Sequence, residues 1–332
     1  MEQVSKKRML SGIKPTGKLT LGNYIGAIKQ FITYQDEYEM FVFIADLHAL
    51  TLPIDAKELR QITKDLIAIY LACGLDPEKV VLFKQSDVHE HAELGYIMAC
   101  SSNMGELFRM TQYKDKTAKI GSNESIPTGI FIYPTLMAAD IILYDPDFVP
   151  VGIDQKQHVE LTRDLAERFN HRYSDTFKIP EPVTAKVGAK INSLSNPEKK
   201  MSKSESDKGT IYLLEDLAIT RKKIMSAVTD SDNTIVYDME NKPGISNLLT
   251  IMSVLSGKSI DELCATYNGQ GYGVFKKAVA DVVCDTLKDL QDKVKEIQSS
   301  GMIDKVLQEG AEKASYYARK KVAKVYRKVG LR

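Results

Sequence analysis

"MFVFIAD", from Met40 to Asp46, is a nearly unbroken apolar run of strand length. A strand with that pattern is buried on both faces, as in the middle of a parallel sheet. A helical pattern follows from about Ala56 to Cys73, with Leu59, Ile62, Leu66, Ile69 and Tyr70 on one face, and Gly74 and Pro77 end it. "KVVLFK" (Lys79 to Lys84) reads as the next strand, His91 to Met98 as a helix, Ile132 to Tyr144 as a buried helix and Asp147 to Gly152 as a strand. A long helix opens at Asp154. Strand and helix in alternation predict an α/β fold, a doubly wound, Rossmann-like parallel sheet. The polar stretch from about 101 to 130 reads as a short insertion. From about Leu213 onward almost every segment has helical spacing, which predicts an all-helical C-terminal domain. The expected division is 1–195 for the sheet domain, 196–209 for a junction and 210–332 for the helical domain.

A chain of 332 residues is comfortable for two domains. Its net charge is +1, so any site for a polyanion must come from local clustering. No stretch resembles a signal peptide, and no run of about 18 apolar residues suggests a membrane span. Cys73, Cys100, Cys264 and Cys284 form no C-x-x-C pair, so neither zinc nor a disulfide framework is expected. The expected compartment is the cytoplasm, and no protein-bound metal site is expected.

Gly12, Gly17, Gly22 and Gly26 crowd the stretch from Ser11 to Gln30, yet neither G-x-G-x-x-G nor G-x-x-x-x-G-K-S/T is present. At the junction, "NPEKKMSKSESDKG" places Lys199, Lys200 and Lys203 around Met201, beside Ser202 and Ser204. Three ammonium groups and flanking hydroxyls can clamp a polyphosphate, although most charge runs are solvated loops.

"KMSKS" resembles the second signature loop of the class I aminoacyl-tRNA synthetases, and "TLGN" (Thr20 to Asn23) stands where that family carries its H-I-G-H signature. "SGIKPTGKLTLGNYIGA", "YPTLMAADIILY", "VPVGIDQKQHVELTRDLAERFN" and "KPGISNLL" are similar to the bacterial tryptophanyl branch, across nearly the whole chain. The resemblance implies tryptophan activation by ATP with Mg²⁺, release of pyrophosphate, and transfer to the 2′-hydroxyl of the terminal adenosine of tRNA(Trp). It implies catalytic roles for Thr20, Asn23, Lys116, Lys200 and Lys203. ATP contacts are implied for Lys14, Pro15, Thr16, Gly22, Asn23, Gly152, Ile153, Asp154, Ile191, Lys200, Met201, Ser202, Lys203 and Ser204. In the family the glycine matching Gly22 lets the adenine pack against the helix start.

For tryptophan, the resemblance implies Asp140 as acceptor of the indole N–H. Tyr133, Met137, Val149 and Val151 would shape the pocket, with Leu10, Gly12 and His48 beside them and Gln155 at the polar end. Read from the residues alone, Asp140 is a carboxylate in an apolar helix, costly unless partnered, and a loop could equally be that partner. His48 could equally be structural, and His89, His91 and His171 receive no role. The insertion is expected at a homodimer contact, and the basic run from Lys313 to Arg332, eight Lys or Arg and no acid, could meet tRNA or simply be solvated. Lys14 and Ile153 depart from residues common among bacterial relatives, Gln and an acid, and both changes make the ATP side more positive. A tyrosyl enzyme, a non-catalytic nucleotide- or RNA-binding paralogue and a small-molecule nucleotidyltransferase remain open at this point.

Overall fold

A computed structural model describes residues 6–118, 125–152, 155–184, 188–202 and 208–331. The expected contacts Ile153, Asp154, Lys203 and Ser204 lie outside the described residues.

The first half alternates as its apolar pattern requires. β1 (Arg8–Ile13) leads through α1 (Leu21–Asn23), a wider turn over Tyr24–Ile28 and α2 (Lys29–Glu37) to β2 (Glu39–Ile44). The short α3 (Asp46–Ala49) and α4 (Ala56–Ala72) lead on to β3 (Val80–Lys84). Next come α5 (Glu90–Ser101), α6 (Met104–Arg109), α7 (Thr111–Ala118) and α8 (Thr128–Ile142), then β4 (Phe148–Val151), α9 (Lys156–Tyr173) and β5 (Glu181–Thr184). All pairings are parallel, in the order β3-β2-β1-β4-β5. β5 is absent from the sequence reading. Its four residues include Pro182, which a sheet tolerates on an edge strand.

The strands alternate faces with period two. Met9, Met40, Val42, Ile44, Val80 and Leu82 pack with α4 on one side, and Leu10, Phe41, Phe43 and Phe83 pack with α5, α8 and α9 on the other. The remaining helices are α10 (Leu217–Met225), α11 (Pro243–Ser256), α12 (Ile260–Tyr267), α13 (Gly271–Ser299) and α14 (Met302–Val329). Leu248, Phe275, Val279 and Leu287 of α11 and α13 join the first core, so the helical region is continuous with the sheet's layer.

α14 passes the edge strand β3 and reaches the opposite face, where Ala314, Ala318, Val322 and Val325 enter the second core. Lys321 and Tyr326 tie it down, bonding to Asp145 at 2.6 Å and Glu93 at 2.9 Å. The apolar side of this helix therefore covers the sheet. No helix among the described residues is long and apolar enough to cross a membrane.

Chain order reverses around β1: β2 and β3 lie to one side, β4 and β5 to the other. In open parallel sheets ligands bind at the carboxyl ends of the strands flanking such a switch point, here β1 and β4.

Candidate active site

A cavity of about 490 Å³ opens at that point. β1 contributes Leu10 and Gly12, followed by Lys14, and β4 contributes Val149 and Val151, followed by Gly152 and Gln155. From α8, Tyr133, Met137 and Asp140 stand at i, i+4 and i+7, one stripe of a helix. His48 of α3 and Lys116 of α7 complete the expected set. All nine residues expected to receive tryptophan line this one cavity. Gly12 is needed for shape, since a Cβ there would sit 2.6 Å from the Phe43 ring.

Asp140 is fully buried and its carboxylate is the convergence point of three donors. Gln85 Nε2 and His91 Nδ1 each lie 2.7 Å from Oδ1, and His48 Nε2 lies 2.7 Å from Oδ2. Burial alone pushes a carboxyl pKa up. The charge and hydrogen bonds of His48 and His91 outweigh it and hold the group at about 2. Asp140 is therefore a carboxylate, and Oδ2, with one protein donor, keeps room for another. The other ring nitrogen of His91, Nε2, lies 2.8 Å from the Tyr144 hydroxyl.

The sequence reading gave His91 no role, and here it orients Asp140. Gln85 and Tyr144 were also missed. A buried carboxylate announces that donors must exist, but no spacing in the chain says which residues they are. Thr51, Gln112 and Phe43 are further unforeseen lining residues.

The mouth is cationic. Lys14 Nζ lies 3.5 Å from the Thr51 hydroxyl, and burial lowers its pKa. Lys116 Nζ stands 3.9 Å over the Tyr133 ring. Burial, and then the charge of Lys14, bring its pKa down to about 8. No carboxylate of a described residue offsets either ammonium. Two half-buried cations without a counter-ion suit an anionic ligand.

The two signature segments form a second cluster outside the cavity lining. Thr20 caps α1, accepting the Asn23 N–H at 3.1 Å while Asn23 Oδ1 accepts the Thr20 N–H at 3.1 Å. Thr20 is fully buried, and its hydroxyl serves as this cap. Gly22 makes room for protein: the position of its missing Cβ is 3.3 Å from Met201 Cβ and 3.4 Å from the Met201 carbonyl oxygen. Ile191 and Met201 are core residues, joined by the Met201 N–H to the Ile191 carbonyl at 3.0 Å. Lys200 is exposed, Pro15 is buried, and Thr16 and Ser202 are half-buried. All four lie apart from the cavity lining.

Residues 3–288 match the family described as class I tRNA synthetases (W and Y). The chain is 53% identical over 327 residues to a tryptophan–tRNA ligase of Bacillus subtilis, covering 98% of each. It superposes on a tryptophanyl-tRNA synthetase of Campylobacter jejuni, solved with ADP and tryptophan, with a TM-score of 0.86 at 38% identity. That match covers 98% of this chain and 100% of the other. A tyrosyl-tRNA synthetase of Aeropyrum pernix shares the fold, with a TM-score of 0.64 at 20% identity, over 92% of this chain and 89% of that one.

Proposed function

The chain belongs to the class I tRNA synthetases of the tryptophan and tyrosine group, and from that membership we propose how its residues serve the ligation of tryptophan to tRNA(Trp). The enzyme activates tryptophan with ATP and passes it to tRNA. The observation that carries the assignment of residues is the Asp140 carboxylate, held ionised at the back of an apolar cavity whose mouth holds Lys14 and Lys116.

In the first step a tryptophan carboxylate oxygen bonds to the α-phosphorus, the bond to the bridging oxygen breaks, and pyrophosphate departs. In the second the 2′-hydroxyl of the terminal adenosine displaces AMP. No protein nucleophile is required, so catalysis is positioning and charge stabilisation. Asp140 Oδ2 accepts the indole N–H, and Met137, Val149 and Val151 flank the ring. Tyr133, hydrogen-bonded through its hydroxyl to His158 Nε2 at 2.8 Å, walls one side, and Gln155 meets the amino acid's polar end. Lys14 and Lys116 face the phosphates. Lys200 serves them from the junction. Lys203 and Ser204 of the same motif, and Ile153 and Asp154 after Gly152, belong to the ATP set by resemblance and lie outside the described residues.

Mg²⁺ belongs to this reading as part of the Mg·ATP substrate, on the phosphate oxygens.

Lys116 gives a pH signature. With its pKa at about 8 in the free enzyme, it is cationic below that value and neutral above it. kcat/KM for ATP is expected to fall as pH rises through about 8. Lys14→Gln removes the neighbouring positive charge, so the break moves to higher pH while burial keeps it below the ordinary lysine value. Pyrophosphate exchange followed from pH 6.5 to 10 tests this. A break that stays in place in Lys14→Gln refutes the coupling.

Two partners follow. The exposed Lys313, Arg319, Lys320, Arg327 and Lys328 of α14 offer phosphate-backbone contacts for tRNA. A second copy of the chain covers the apolar groove lined by Leu50, Tyr96 and Ile132, which shares Thr51 and Tyr133 with the tryptophan cavity. Leu50 and Tyr96 are 61% and 75% exposed, more than a lone monomer leaves bare in one groove. Tyr96→Arg is expected to shift sedimentation from dimer to monomer, and a wild-type chain that sediments as a monomer refutes the interface. The compartment is the cytoplasm.

The reading as a whole is tested by amino-acid-dependent ATP–pyrophosphate exchange. Exchange with tryptophan and not tyrosine, with tRNA charging that weakens as salt rises, is the expected result. Absence of exchange with tryptophan would sink it.

A further inference from the structure

The segment carrying Lys199 to Ser202 is one side of a short hairpin. Asn192 and Lys200 form an antiparallel bridge, Met201 N–H donates to the Ile191 carbonyl at 3.0 Å, and Ser193 N–H donates to the Lys199 carbonyl at 2.8 Å. The residue opposite Lys200 is thus Asn192, whose peptide groups face away from the ladder into α11. There a single side chain meets both of them. Asn247 Oδ1 accepts the Asn192 N–H at 2.9 Å, and Asn247 Nδ2 donates to the Asn192 carbonyl at 3.0 Å. Asn192 and Asn247 are 3% and 2% exposed, so water cannot replace either bond. α11 is itself fixed close by: a Cβ on Gly244 would lie 2.1 Å from the Val228 carbonyl oxygen, and Val228 N–H donates to Leu194 of the same hairpin at 2.8 Å.

A lysine on a flexible four-carbon stem can be pre-placed only through its backbone. We propose that Asn247 is the positioning residue that sets the Lys200 segment for ATP. It splints the hairpin strand carrying Lys200 to α11 of the helical region. The "KPGISNLL" stretch, which resembles the family without a role of its own, thereby gains one. The proposal rests on the assignment of Lys200 to the ATP phosphates.

The chain contains no tryptophan, so the fluorescence of added tryptophan reports its binding without protein background. Asn247→Ala is expected to bind tryptophan, without ATP, within about twofold of wild type, because the cavity lies elsewhere. Its kcat/KM for ATP in pyrophosphate exchange falls about 30-fold, the loss of two buried hydrogen bonds. Asn247→Asp keeps the size of the side chain and the acceptor but loses the donor. Protonation of a buried carboxyl restores that donor, so its exchange rate relative to wild type rises as pH falls from about 8 to 6. A merely space-filling role moves neither readout.

Exchange within twofold of wild type in Asn247→Ala overturns the proposal. So does tryptophan binding that falls in step with exchange, or a pH-independent deficit in Asn247→Asp. Lys200→Ala is run in parallel. If it exchanges at the wild-type rate, the assignment of Lys200 fails, and the proposal falls with it for a reason distinguishable from the failure of Asn247.

Discussion

Asp140→Asn is expected to lower kcat/KM for tryptophan about 10³-fold in pyrophosphate exchange. The change is isosteric, so the effect is one of charge and hydrogen-bond count. Gln85, His48 and His91 already converge on the carboxylate within 2.7 Å, and the indole N–H is proposed as a fourth donor. An amide offers one acceptor oxygen, and its own N–H groups must point at donors. The bond from the indole to a charged acceptor is worth about 1.5–3 kcal/mol, and a buried donor left unpaired costs about 1–3 kcal/mol. Together these reach the range in which dedicated polar contacts discriminate substrates. Binding of fluorescent tryptophan weakens in parallel. A loss of less than tenfold would mean that the indole nitrogen is recognised elsewhere.

The same group predicts an acid signature. Its folded pKa, about 2, lies below the ordinary carboxylate value of 3.8. Its stabilising contribution is therefore complete above about pH 4 and is lost as pH falls toward 2, about 2 kcal/mol in all. In Asp140→Asn that segment of the acid-unfolding profile disappears.

Gly310→Ala is expected to destabilise the fold by about 3 kcal/mol, read as a lower midpoint in urea. Propensity alone predicts the opposite, since alanine improves an interior helix position by about 1 kcal/mol over glycine. The contact decides. A Cβ on Gly310 would stand 1.8 Å from the Leu82 carbonyl oxygen and 2.6 Å from its carbon, both backbone atoms of β3 that cannot swing aside. α14 must lift from the edge strand, and Ala314, Ala318 and Val322 lose their seat on the second face. β3 runs directly into Gln85, the donor to Asp140, so a raised KM for tryptophan accompanies the lost stability. A variant as stable as wild type would show that α14 does not pack this close.

Much of this was legible beforehand, for identifiable reasons. Unbroken apolar strands alternating with amphipathic helices have few solutions besides a parallel sheet covered on both faces, and that sheet is what formed. The lining of the main cavity was legible because its residues lie in long stretches, around Gly12, Asp140 and Val151, that resemble the family. β5 was not, because four residues with a proline carry no period to detect.

What the sequence by itself determined is which faces are buried and which residue types need partners: the apolar run from Met40 to Asp46, the carboxylate in an apolar helix, the lysines at the junction. What only the tertiary structure decided is the identity of those partners. Asp140 meets His48, Gln85 and His91 because the order β3-β2-β1 brings the ends of β2 and β3 together beneath α8. Gly22 makes way for Met201, and Gly310 for Leu82. Periodicity records that a surface must be covered, and it carries no information about which distant segment covers it. That is settled by strand order and chain closure.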